Sequence, residues 1–101
     1  TYYLCGQVPF HPVTGEVVGN GMKEQAVQTL ANMKAVLEAA GLAVTDIAKT
    51  TVFVTNMDDF AAFNEVYAAF MGEHRPARVC VEVSNIAHGC LLEMDAICFK
   101  E

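Results

Sequence analysis

The sequence predicts an α+β two-layer sandwich. Three observations predict it. The apolar pattern switches along the chain between a period of two and a period of three to four. The elements follow in the order β, short β, α, β, α, β, β. Only two helices are present, too few to cover both faces of a sheet this size, so both belong on one face. At 101 residues the chain forms one domain over 1–101, because either half would be too small to fold alone.

Each element has a local reason. "TYYLCGQVPF" opens as a strand up to Gly6. Pro9, Pro12 and "TGE" mark a turn region, and "EVVG" reads as a short returning strand. Gly19, Asn20 and Gly21 interrupt the chain. Met22, Ala26, Leu30, Met33, Leu37 and Ala40 then recur at three and four, which predicts an amphipathic helix over 22–40 that Gly41 stops. "DIAKTTVFVT" is β-branched and aromatic, a strand. Asn56, Asp58 and Asp59 supply helix-start chemistry. Phe60, Phe63, Tyr67, Phe70 and Met71 form the stripe of a second helix, ended at Gly72. "ARVCVEV" is the next strand, "SNIAHG" a loop, and "CLLEMDAICF" the last strand.

The alternation assigns faces. Val52, Val54, Val79, Val81, Val83, Leu92, Met94 and Ala96 are expected against the helices. The opposite face then carries Ile47, Phe53, Leu91, Ile97 and Phe99 among Lys49, Arg78, Glu82, Glu93 and Asp95. That face is too apolar for water, so the chain is expected to be a homo-oligomer. The short "SNIAHG" connection predicts antiparallel pairing of the last two strands.

Composition bounds the function. Hydrophobic residues make up 53% of the chain, which excludes disorder. Twelve acidic against six basic residues give a net charge of −6, and the six are scattered, which argues against a nucleic-acid footprint. No apolar run approaches the length of a membrane span and no leader is visible. The four cysteines lie in apolar runs without C-x-x-C spacing, so they read as buried, reduced thiols and not as a zinc site. The expected location is the cytoplasm, with no membrane contact. No metal is expected.

Charges on a buried face need partners, because an unpaired one costs several kcal/mol. Arg78 is a fork that suits a carboxylate, and a glutamate nearby can orient a water or shuttle a proton. A structural salt bridge, from Arg78 to Glu93 or to Asp95 on a neighbouring chain, is the first reading, since structural ion pairs outnumber ligand sites.

"GQVPFHPVTGEVV", "TLANMKAVLEAAGL", "IAKTTVFVTNMDDFAAFNEVYAAF", "PARVCVEV" and "LLEMDAI" together resemble the reactive intermediate deaminase (Rid) family, also called YjgF, over essentially the whole chain. "PARVCVEV" followed by "EMDA" is the most specific part. The resemblance implies a chorismate-mutase-like fold and a homotrimer with its sites in clefts between subunits. It implies RidA-like hydrolysis of reactive enamines and imines, of the 2-aminoacrylate and 2-iminopropionate type, to 2-keto acids and ammonia, without a cofactor. By position it assigns the substrate-carboxylate arginine to Arg78 and the water-positioning glutamate to Glu93. Cys80 falls on a pocket-lining position, and Gly6 and Asn64 on further pocket-side positions. The family's additional N-terminal edge strand has no counterpart before Thr1, and the loop ahead of "PARVC" is shorter than usual.

Other readings stay open. Cys80 as a nucleophile lacks a histidine at motif spacing. His11, His74 and His88 fall in loops, and Asn64 taken alone would face solvent. The same Arg78 would serve a protein that binds 2-keto acids without turnover. A ribonuclease or translation inhibitor, also described for the family, fits poorly with the acidic balance and the lack of an aromatic platform.

Overall fold

Gly21 holds an extended backbone (φ −124, ψ 171), and the first helix, α1, starts at the next residue and runs Met22–Ala39. Gly41, at φ 74, turns the chain away from it. The second helix, α2, spans Phe60–Met71. A 3-10 turn at Met57–Asp59 leads into it, and the Asn56 side chain caps that turn by accepting from the Asp58 amide. Gly72, at φ 64, ends α2 in the left-handed region that glycine occupies without strain. These boundaries match the sequence reading closely. The computed structural model describes residues 1–101.

Four strands make one sheet: β1 (Tyr2–Gln7), β2 (Ile47–Val54), β3 (Ala77–Glu82) and β4 (Leu92–Cys98). Their order is β1-β4-β2-β3. β2 and β3 are parallel, joined through α2, while β4 runs antiparallel to both β1 and β2. The pairing expected between the last two strands does not form. β2 lies between them, because a chain that crosses over through a helix returns parallel and takes the edge. "EVVG" contributes a single bridge, Phe10 to Val17, and no strand.

Both helices pack on one face. Met22, Ala26, Leu30, Met33 and Leu37 of α1 and Phe63, Tyr67 and Met71 of α2 meet Val52, Val54, Leu92, Met94, Ala96 and Cys98 of the sheet. Removing the fully buried Phe63 ring would cost about 3–5 kcal/mol. Ile47 also lies in this core and Leu91 packs against it, contrary to their expected place on the open face. A register shift between Ile47 and Lys49 turns Ile47 inward.

The face of β3 is the main correction. Val79 and Val81 are 44% and 40% exposed; they point away from the helices, and Arg78 and Cys80 point toward them. Alternation separates two sets but does not say which is inward. At this edge strand the set beside α2 is the one with the arginine. The open face therefore carries the exposed Tyr3, Val79, Val81 and Phe99, and is more apolar than expected. Cys5 is also exposed, whereas Cys90 and Cys98 are buried as expected.

Candidate functional site

The parallel register sets Arg78 opposite Thr50 and Cys80 opposite Val52, so these four share a face. Thr50 is fully buried, and its hydroxyl lies 2.8 Å from the Tyr67 hydroxyl. Arg78 thus emerges beside α2. Its Nη1 donates to Oδ1 of Asn64 at 2.7 Å. Its Cζ stands 4.8 Å from the centroid of the Tyr67 ring and 5.3 Å from that of Phe60. Phe60, Asn64 and Tyr67 follow a four-then-three spacing, which puts them on one side of the helix. Two rings and one amide hold the guanidinium by cation–π attraction and a hydrogen bond.

No carboxylate neutralises it. The single ion pair in the chain joins Lys23 to Glu65 at 2.7 Å, on exposed helix surfaces. Within one chain Arg78 makes no bridge to Glu93 or Asp95, because those residues lie on the other face with β2 between. Arg78 instead opens onto a cavity of about 310 Å³ lined by Asn64, Tyr67, Ala68, Met71, Arg75, Pro76 and Arg78. Asn64, which alone would be read as solvent-facing, is its positioning partner.

Cys80 sits half-buried against the core on the same side. Burial pushes its thiol above the ordinary 9.0, and the nearby Arg78 charge offsets this only in part. A thiol held protonated is a poor nucleophile.

Glu93 belongs to the open face. It stands opposite Phe53, which stands opposite the exposed Val81. A shift in the β1–β4 pairing between Leu4 and Gln7 brings Gly6 over it. A Cβ on Gly6 would lie 2.5 Å from Glu93 Oε2, so only glycine lets the carboxylate rest there. Glu93 also borders a cavity of about 280 Å³ with Phe53, Val83, Asn85, Ile86 and Ala87. Glu82, on the Arg78 strand, is spent elsewhere: it accepts from the Met57 amide at 2.8 Å.

The five residues singled out in the sequence therefore form two groups. Arg78, Asn64 and Cys80 lie on the helix side of β3, Gly6 and Glu93 on the open side of β1 and β4. Sequence reasoning missed Tyr67 and Phe60 as partners of the arginine, since both fit the apolar stripe. Their signal was the spacing around Asn64.

The family described as endoribonuclease L-PSP matches residues 1–100. The chain belongs to this family. A RutC family protein of Pyrococcus horikoshii is 50% identical over 99 residues, covering 98% of this chain and 79% of that one. A 2-iminobutanoate/2-iminopropanoate deaminase of Escherichia coli is 49% identical over 98 residues, with 94% and 76% covered. The solved structure of RidA from an Antarctic Psychrobacter superposes with a TM-score of 0.92 at 40% identity, over 97% of this chain and 79% of that one. The two-layer fold and the Rid resemblance both stand. The L-PSP family thus includes named imine deaminases close to this chain.

Proposed function

We propose that the chain hydrolyses reactive 2-imino acids and their enamine tautomers to 2-keto acids and ammonia, at sites completed between copies in a homotrimer. One observation carries the assembly: Arg78 and Glu93 stand on opposite faces of one sheet, so a single chain cannot bring both to one small substrate. Joining the open face of one copy to the Arg78 edge of the next supplies both. The exposed valines, Tyr3 and Phe99 give that contact an apolar surface to bury.

In this reading Arg78, steadied by Asn64 and Tyr67, holds the substrate carboxylate through its free N–H groups. Cys80 lines the wall beside it. Glu93 of a neighbouring copy, with Gly6 leaving room, orients a water toward the imine carbon and relays a proton toward nitrogen. Water adds to the C=N carbon, the C–N bond then breaks, and ammonia leaves. Positioning carries most of the rate, since such imines are labile. The name of the 49%-identical deaminase supports the substrate class. A reducing, cytosol-like compartment suits the four free thiols.

The test is a coupled assay in which an amino-acid oxidase generates the imine and 2-keto acid formation is followed. Acceleration by the protein is expected, with a trimer mass in light scattering at micromolar concentration. A monomer, or no acceleration, overturns the proposal. A second reading has its own support: a chain that carries Arg78 without Glu93 within reach would bind a 2-keto acid without turnover. Calorimetric binding of pyruvate with no imine hydrolysis would favour that reading.

A further inference from the structure

The cavity in front of Arg78 has a second cation in its wall. Arg75 lines it together with Arg78, Asn64, Tyr67 and Met71, and no acidic residue does. The two arginines are three residues apart, Arg75 on the short connection from α2 and Arg78 at the start of β3. Each uses one nitrogen to fix its position. Arg75 Nη1 donates to the carbonyls of Gly72 and His74, and Arg78 Nη1 donates to Asn64. The Nη2 and Nε groups of both have no acceptor in the protein, and neither guanidinium has a carboxylate partner. Like charges that share one cavity repel. Nature's remedy for such a pair is an anion with two charges, one for each fork.

We infer that this cavity accepts a dicarboxylic ligand, Arg78 taking the carboxylate next to the imine and Arg75 a second carboxylate on the side chain. The preferred substrates are then the imines of acidic amino acids, a class narrower than 2-imino acids at large. This rests on the imine-hydrolysis reading for its chemistry, but the ligand preference stands on the arginine pair alone. Backbone contacts support the assignment: Arg75 is anchored on the carbonyls of Gly72, at the end of α2, and of His74, so its fork is oriented even though the side chain is exposed. The volume, about 310 Å³, suits a ligand of four or five carbons.

Two measurements test it. In the coupled assay, imines generated from aspartate or glutamate are compared with those from alanine, for the wild-type protein, Arg75→Gln and Arg75→Lys. The expected result is a dicarboxylate-to-monocarboxylate ratio of kcat/KM that falls about tenfold in Arg75→Gln, through KM, and recovers in part in Arg75→Lys. In calorimetry, 2-oxoglutarate should bind about tenfold tighter than 2-oxobutyrate, and Arg75→Gln should erase the difference. A ratio unmoved by Arg75→Gln, with alanine-derived imine still hydrolysed, overturns this inference and leaves the deaminase reading intact. If no imine is hydrolysed but the 2-oxoglutarate preference depends on Arg75, the deaminase reading fails and the dicarboxylate site stands.

Discussion

Arg78 and Glu93 occupy opposite faces of the same four strands, and the protein prepares them by opposite means. Arg78 is held by added matter: two aromatic rings and an amide from α2 fix the guanidinium. Glu93 is accommodated by omission, because Gly6 withholds the one carbon that would displace it. The first arrangement tolerates partial loss, since three side chains share the task. The second does not, since any Cβ at Gly6 displaces the carboxylate from its place. A charge positioned by neighbours and a charge positioned by a gap should respond differently to substitution.

The largest effect is expected at the charges themselves. Arg78→Ala should lower kcat/KM for imine hydrolysis by about 100-fold or more, the loss of two charge-assisted hydrogen bonds to the substrate. Glu93→Gln should be comparably impaired, but in kcat. Mixing these two inactive variants by joint refolding should restore about a quarter of wild-type activity, because one site in four then pairs an intact Arg78 with an intact Glu93. No recovery would place both charges in one chain's site and remove the basis for the shared cleft. Next comes Gly6→Ala. It should cut kcat by about tenfold with little change in KM, as the carboxylate is pushed from its place. An unchanged kcat would mean that Glu93 can act from elsewhere. Asn64→Ala should raise KM by only a few-fold, because the Tyr67 and Phe60 rings still steady Arg78.

Two smaller effects concern stability. Tyr67→Phe removes the bond to the buried Thr50 and should cost about 1–2 kcal/mol in urea denaturation. The thiols of Cys80, Cys90 and Cys98 are all raised by burial, with Glu93 adding to the shift at Cys90 and Asp46 at Cys98. A folded pKa above the unfolded one gives stability that is whole below the unfolded value. It is lost as pH rises from the ordinary 9.0 through the folded value. Unfolding midpoints should therefore fall between pH 9 and the alkaline limit, and the fall should shrink in Cys98→Ala.

Much of the fold was legible because its signals are local. Glycines at 41 and 72 end helices whose stripes had already been counted, and Asn56 opens the turn that leads into α2. The four sheet strands were equally plain, whereas the returning strand read at "EVVG" is a single bridge. The inward side of β3 was not. Three valines outweighed one arginine in any hydrophobic count, and what turned the strand over was α2, whose Phe60, Asn64 and Tyr67 offer a guanidinium a better environment than a valine. The partner of β4 was hidden for a related reason: a short loop suggests a hairpin, while the parallel crossover through α2 reserves the edge for β3. For the site, residue chemistry alone led to a salt bridge. Resemblance to a family singled out Arg78, Glu93, Cys80, Gly6 and Asn64, and geometry then divided them between two faces.

The pairing of β1 with β4 has a consequence for the order in which these groups come into being. Arg78, Asn64, Tyr67 and Thr50 all belong to the continuous β2–α2–β3 stretch, so their contacts close short loops. Gly6 and Glu93 meet only when the two ends of the chain are brought together, a closure with a larger entropic cost. A newly made chain should thus own the Arg78 half of the proposed site before the Glu93 half. Pulsed hydrogen exchange during refolding would register this as protection of the β2–β3 amides ahead of those shared by β1 and β4. If the proposed roles hold, an early species of this kind would already grip a carboxylate while having no means to act on it.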